Sequence, residues 1–207
     1  MFEEVVRDED LELLSQLPKE ISMKYYLAGG TALALQLGHR HSYDFDFFSN
    51  QAFNNEQLKQ VLQNLGSFKL FQDAKGRLEC NINNTRFTFL FHSYPLLDEC
   101  ISFQNIQMAT IRDIAVMKLS ALSSRGSRKD FIDLSFIQPK TTWINIVEDF
   151  KLKYKGTGFN LYHIIKSLTY FADALSEPMP KMIQPCDWGE LESEFKKVQK
   201  ELADLYL

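Results

Sequence analysis

One stretch, Leu27 to Phe48, restricts the architecture more than any other part of the chain; it reads LAGGTALALQLGHRHSYDFDFF. Tyr25 to Ala28 is a short strand-forming run, and Gly29-Gly30-Thr31 breaks it. The strong helix formers from Ala32 to Leu37 follow, closed by Gly38, whose place past the last apolar residue suits a helix C-terminal cap. Asp44-Phe45-Asp46-Phe47-Phe48 then alternates with period two, so both carboxylates fall on one face of a strand while Phe45 and Phe47 face the core. Strand, glycine turn, helix and strand in so short a span require a sheet with a helix packed on it.

The flanking segments enlarge that unit. Asp8 to Gln16 has helical apolar spacing and stops before Pro18, after which Lys19 to Met23 adds a turn. Asn55 to Leu65 reads as an amphipathic helix capped by Asn54 or Asn55 and ended by Gly66. Phe68–Gln72, Arg77–Ile82 and Arg86–Phe91 are short runs separated by AKG and NN turn signals, which predicts an antiparallel meander extending the sheet. Thr110 to Asp113 resembles an acidic capping box before the buried helix IAVMKLSALSSR, which Gly126 breaks. Beyond it RKDFIDLSFI, TTWINIVEDFKLKY, LYHIIKSLTYFADAL and WGELESEFKKVQKELADLYL read as helices, with Pro178 to Pro185 as the connection before the last. The class is therefore α+β or α/β, a mixed sheet flanked by helices with a helical C-terminal half. Two parts are expected, an α/β core over residues 1–107 and a helical region over 108–207 that completes an active-site cleft.

Composition excludes some functions. With 207 residues, 45% hydrophobic and 24% charged, the chain can bury a full core and fold as an ordinary globular protein. The three widely separated cysteines, Cys80, Cys100 and Cys186, lack the pairs of a zinc knuckle or disulfide framework, which points to a reducing compartment. The charged N-terminus MFEEVVRDEDLELL is no signal peptide, and no apolar run approaches the ~20 residues that span a bilayer, so a cytoplasmic protein without membrane partners is expected. A net charge of −4 argues against a general coat of nucleic acid but leaves room for a local RNA-binding patch.

The chemistry follows from the same stretch. A glycine pair at a strand-to-helix turn lets an anion approach the backbone N–H groups, and the helix N-terminus adds a favourable dipole, so phosphate is the natural ligand. Carboxylates at i and i+2 on the next strand can hold Mg²⁺ or Mn²⁺ against that phosphate. Neither feature is specific alone, since glycines make turns and half-exposed strands carry solvated acids; together they fit one task.

This segment resembles the AbiEii/AbiGii branch of nucleotidyltransferase-fold toxins, through Gly29, Gly30, Thr31, Ala32, Leu33, Gly38, Arg40, Ser42, Asp44 and Asp46. A second block, MKLSALSSRGSRKDFIDL, is similar to the family's helical motif through Lys118, Arg125, Lys129, Asp130 and Asp133. The likeness spans about residues 24 to 138. It implies a nucleoside triphosphate held by Gly29, Gly30 and Thr31 with Arg40, Ser42 and Arg125, a metal on Asp44 and Asp46, and catalytic parts for Lys118 and Asp130. It further implies transfer of a nucleotidyl group to an acceptor, tRNA in some members, by the bacterial toxin of an abortive-infection or type IV toxin–antitoxin pair with a cognate antitoxin.

The chain departs from the pattern at one place. A third carboxylate is often found on a later strand, yet RFTFLF has none, and Thr88 stands where an aspartate is expected. Glu79 is a substitute only if its register turns it inward. Asp130 taking over as base, catalysis with less help, and an inactive scaffold all remain open on the sequence, as does an enzyme acting on an antibiotic-like small molecule. Lys118 on an otherwise apolar helix suits a triphosphate, or is a helix-edge lysine whose ammonium snorkels to water, and Asp133 is expected to pair with Arg125 or cap local backbone. Arg40 and Arg125 can fork onto phosphate, and a solvated or carboxylate-paired arginine is as common a reading. His39 and His41 lack a third ligand and are read as loop surface. Trp143, Tyr162, Tyr170 and Phe171 are assigned to core.

Overall fold

The computed structural model describes all 207 residues, which divide into two compact units, Met1–Thr110 and Ile111–Leu207. In the first, a 3-10 turn at Glu3–Val5 leads into helices α1 (Asp8–Ser15) and α2 (Lys19–Lys24). Strand β1 (Tyr26–Ala28), helix α3 (Gly29–Leu37), strand β2 (Asp44–Ser49) and helix α4 (Asn55–Gln63) follow. The unit continues with β3 (Phe68–Ala74), β4 (Arg77–Ile82), β5 (Thr85–Phe91), β6 (Ile101–Phe103) and β7 (Ile106–Met108). All seven strands form one sheet in the order β3-β4-β5-β2-β1-β7-β6. It is mixed: β2 runs antiparallel to β1 but parallel to β5, and β1 runs parallel to β7.

Local sequence explains the elements that frame the centre of the sheet. Leu27 and Ala28 are fully buried, and α3 packs on β1 and β2 through Ala32, Leu33, Ala34 and Leu35, which are also fully buried. Gly38 ends α3 in the left-handed conformation at φ +65°, donating its N–H to Ala34 O at 2.8 Å. On β2 the apolar phase is realised in full: Phe45 and Phe47 have no exposed surface and stack on Phe87 and Phe89 of β5 at centroid distances of 5.5 and 5.3 Å. Asn54 caps α4, its side chain accepting from the N–H groups of Glu56 at 2.9 Å and Gln57 at 3.2 Å. The expected meander is β3-β4-β5. On the other side of β1 the sheet gains the hairpin β6–β7, whose short strands carried no readable period.

The second unit is helical: α5 (Ile111–Ser124), α6 (Arg128–Ile137), α7 (Trp143–Lys153), α8 (Leu161–Ser167), α9 (Ala172–Ser176) and α10 (Trp188–Tyr206). Helix α5 is its hub, packing against α6, α7 and α8. The single helix expected over residues 161–175 is two, because α8 closes at Ser167 and turn bonds from Thr169 N to Lys166 O and Tyr170 N to Ser167 O carry the chain to α9. Phe131, Trp143, Phe171 and Phe195 form the aromatic core of this unit, but Tyr162 and Tyr170 are 52% and 56% exposed, which corrects their assignment to core. No helix is long and apolar enough to cross a membrane. The three cysteines are free thiols, and burial pushes that of Cys80 up to about 12.

Candidate active site

The glycine turn and the acidic strand meet at a single place. Ala28 pairs with Asp46 across β1 and β2, so the strand end that leads into Gly29 lies beside the second carboxylate. Gly29 has φ +69°, and a Cβ there would sit 3.0 Å from Asp46 Oδ2. Both facts demand glycine: the left-handed backbone disfavours a side chain, and the carboxylate occupies its space. Ala28, the N-cap residue of α3, has no polar side chain to cap the helix, so this N-terminus faces the acidic strand through backbone alone.

Gly30 answers a different approach. A Cβ at Gly30 would come within 2.4 Å of Arg40 Nη2, whose guanidinium is tucked beneath the turn with 2% of the residue exposed. Arg40 Nη1 donates to His41 O at 3.1 Å. The arginine expected to reach out to phosphate thus lies under the turn and braces it. Thr31, 1% exposed, sits 2.8 Å from Ser42 Oγ and donates to the backbone carbonyl of Asp44. It staples the first turn of α3 to the start of β2. Ser42 N donates to Val5 O at 3.0 Å, and Phe2 covers Gly38, so the N-terminal segment clamps the same loop. MFEEVV carries the apolar signal for that clamp at Phe2, Val5 and Val6.

Asp44 is exposed and Asp46 half-buried, on the face opposite the phenylalanines. Strand register fixes what stands next to them. Asp46 is level with Thr88 of β5, and Thr88 with Glu79 of β4; Asp44 is level with Arg86, and Arg86 with Asn81. Residues directly paired share a face, so Glu79 does turn to the side of Asp46, two strands and roughly 10 Å away. Its carboxylate, 5% exposed as a residue, is held by Arg86 and by Arg77 at 3.1 Å, with Thr88 in the intervening row. That neutralised acid makes a poor third ligand.

No group of three or more histidine, cysteine or carboxylate side chains is gathered as a cation cage. An aspartate pair on a rigid strand is nevertheless the donor set that suits Mg²⁺, which keeps one or two carboxylates and takes its remaining oxygens from phosphate and water. The residues fit the metal in company with a nucleotide. The two histidines of the loop part ways: His39 is fully buried, and His41 stacks on Tyr43 at 6.0 Å between centroids. The surface assignment holds for His41 alone.

A cavity of about 490 Å³ adjoins Asp44 on the β5 side and is lined also by Arg7, Tyr43, Phe71, Asn81 and Arg86. None of these five was singled out from the sequence, because only strand register and the fold of the N-terminus bring them together.

The second block lies wholly in the helical unit. Lys118 Nζ is 2.7 Å from Asp130 Oδ1 and 2.6 Å from Asp133 Oδ2, and all three residues are buried. Asp130 also receives Ser127 Oγ at 3.1 Å and has Arg125 Nε at 3.4 Å. Asp133, expected to pair with Arg125 or cap local backbone, takes Lys118, and Arg125 approaches Asp130 with most of its side chain exposed. The expected phosphate contact of Lys118 and base role of Asp130 therefore meet a closed network: the ammonium already serves two carboxylates, and Asp130 is itself taken up by Lys118 and Ser127. A second buried pair, Lys153 with Asp113 at 2.7 Å, joins α7 to α5 without exposed surface on either side chain.

Strand, glycine turn, helix and acidic strand on a mixed sheet make this a nucleotidyltransferase-like fold. A family profile described as nucleotidyl transferase AbiEii toxin, type IV TA system, matches residues 12–96. An uncharacterized protein of Aquifex aeolicus (strain VF5) is 38% identical over 186 residues, covering 87% of this chain and 88% of that protein. Among solved structures, the nucleotidyltransferase toxin MenT4 of Mycobacterium tuberculosis H37Rv superposes with a TM-score of 0.63 at 16% identity, over 95% of this chain and 82% of MenT4. A putative nucleotidyltransferase of Helicobacter pylori gives 0.52 at 18% identity, over 97% and 99%. At those identities the likeness is one of fold. The chain belongs to the AbiEii nucleotidyl transferase toxin family.

Proposed function

We propose that the chain transfers a nucleoside monophosphate from a nucleoside triphosphate to an acceptor hydroxyl on RNA, tRNA in particular, and does so as a toxin with a cognate antitoxin in a bacterial cytoplasm. The observation that carries the transfer chemistry is the approach of Asp46 Oδ2 to Gly29, which joins a phosphate-binding turn to an open carboxylate pair. In this reading the N–H groups of the Gly29-Gly30 turn receive phosphate oxygens, Arg40 holds the turn from below, and Thr31 with Ser42 sets the spacing between turn and strand. Asp44 and Asp46 hold Mg²⁺ or Mn²⁺, which when bound draws charge off the phosphates. The acceptor oxygen bonds to the α-phosphorus, the bond to the bridging oxygen breaks, and pyrophosphate leaves as the acceptor proton passes to solvent. Lys118, Asp130 and Asp133 serve to hold α5 to α6.

The cavity beside Asp44 carries Arg7 and Arg86, which keep guanidinium donors for an anionic acceptor beside their pairs with Asp10 and Glu79. The toxin setting rests on family membership. The test is incubation with each labelled triphosphate, Mg²⁺ and total bacterial RNA, beside Asp44→Ala/Asp46→Ala. Label in a tRNA-sized band with the wild type alone is expected; label on a small molecule alone would overturn the acceptor.

One observation favours a second reading, a fold retained for binding without transfer: Thr88 stands in the third-acid position and Glu79 is committed to two arginines. That reading requires nucleotide binding with no gain on adding Mg²⁺, which calorimetry measures directly.

A further inference from the structure

From the geometry of the cavity beside Asp44 we infer a subsite for the terminal nucleotide of a single-stranded RNA acceptor, its base taken by Tyr43, Phe71 and Asn81 and its backbone met by Arg7 and Arg86. The inference rests on the transfer reading for its purpose, but the site is defined by its own walls. Sheet order supplies the first support. On β2, Asp44 and Asp46 have the glycine turn at the end of β1 on one side and β5 with β4 on the other. Phosphates of the incoming nucleotide belong to the turn. The opposite side, where Arg86 and then Asn81 stand level with Asp44 on the same face, is where a second reactant meets the same carboxylates.

The chemistry of the walls supplies the second. Tyr43 and Phe71 are 40% and 51% exposed, large rings that a fold ordinarily hides, and both border the cavity. Exposed rings are what an unpaired base stacks upon, and at Tyr43 the base would join or displace the stack with His41. Asn81 lines the cavity with a buried Oδ1 that has no hydrogen-bond partner. A buried amide oxygen left so is costly, and rotation of the side chain toward the cavity would let the exocyclic amine of a base donate to it.

Arg7 supplies the third. Its Nε and Nη2 fork onto the buried Asp10 at 2.8 and 2.7 Å, and Thr85 Oγ1 donates to the same carboxylate at 2.5 Å. The guanidinium stands 5.8 Å from the Tyr43 ring centroid. Hydrogen bonding to Asp10 raises its already high pKa, so it remains cationic and fixed. Arg86 meets Glu79 through Nη2 alone, and 54% of its side chain stays exposed. The fixed guanidinium of Arg7 beside exposed rings is preorganised, so little of its freedom is lost on binding, and the exposed Arg86 adds a second donor.

The test compares wild type, Tyr43→Ala/Phe71→Ala and Asn81→Ala, using a short fluorescein-labelled single-stranded RNA with a free 3′ hydroxyl and, separately, Mg²⁺-ATP. Both rings are substantially exposed, so the double variant is expected to melt with the wild type. It should bind the RNA roughly tenfold or more weakly while binding Mg²⁺-ATP as before. Asn81→Ala should weaken some 3′-terminal bases more than others. Unchanged RNA affinity in the double variant, or loss of ATP binding with RNA binding intact, overturns the subsite; the latter would make the cavity the pocket of the incoming base. Wild type that binds no RNA also overturns it, while transfer to another acceptor still stands. RNA held through these residues without any label transferred keeps the subsite and sinks the transfer reading.

Discussion

The two units use the same chemical group in opposite ways. On β2, Asp44 is exposed and Asp46 half-buried, on a strand made rigid by the phenylalanines behind it. In the helical unit Asp113, Asp130 and Asp133 are at most 1% exposed, each facing a lysine at 2.6 to 2.7 Å. A carboxylate that water can reach is available to a cation; one sealed against an ammonium, alone as Asp113 or shared as Asp130 and Asp133, holds helices in register. The motif residues of both blocks look alike as a string of letters, and the difference between them is burial.

The largest effect should come from the open pair. Asp44→Asn/Asp46→Asn is expected to cut transfer to labelled RNA by about a thousandfold or more, the scale set by losing several kcal/mol of charge stabilisation. Its melting temperature should hold or rise, because two like charges on one strand face are relieved. A variant that loses stability along with activity would mean these acids are structural after all.

The sealed groups should behave in reverse. Lys118→Met leaves Asp130 and Asp133 without their ammonium, and chemical denaturation should show a loss of about 3–5 kcal/mol. Lys153→Met should cost a similar amount, and pairing it with Asp113→Leu should recover most of that, since an apolar pair replaces the ions at little net cost. If Lys118→Met instead melts normally and fails only to use nucleotide, Lys118 belongs with Asp44 and Asp46 and the contrast between the units dissolves.

How much of this was legible depends on the range over which each feature is encoded. The phase of β2 is local: two apolar and two acidic residues in alternation assign both faces. Gly29 and Gly30 announced a turn, but not that one meets Asp46 and the other Arg40, since both contacts cross the loop. Glu79 illustrates the next range. Its direction follows from pairing with Thr88, and pairing register is invisible until the strands are aligned. Lys118 was legible as a charge needing an anion, yet which anion depends on how two helix faces meet, and Asp130 with Asp133 filled the place given to phosphate. Arg7 stood beyond reach altogether, because its neighbour Thr85 lies 78 positions away.

A smaller effect sharpens the assignment of the open pair. Nucleotide with Mg²⁺ at a hundredfold its dissociation constant should stabilise the wild type by about 2.7 kcal/mol, read as a rise in melting temperature. Asp44→Asn/Asp46→Asn should show little of it. Equal stabilisation in both proteins would separate nucleotide binding from these carboxylates and return attention to the second unit.

The smallest effect divides the glycine turn itself. Gly30→Ala must displace the end of a buried arginine whose Nη2 would lie 2.4 Å from the new methyl group, a local overpacking of about 1–3 kcal/mol. Gly29→Ala meets Asp46 Oδ2 at 3.0 Å and adds left-handed strain at φ +69°, about 1–2 kcal/mol. The two costs in stability are similar, so kinetics must tell the positions apart. Pushing Asp46 moves a proposed metal ligand and should lower kcat, whereas lifting the turn off Arg40 should raise the KM for nucleotide more than it changes kcat. Identical kinetic profiles would mean that the turn responds as one rigid piece, and that Arg40 below it and Asp46 beside it are parts of a single support.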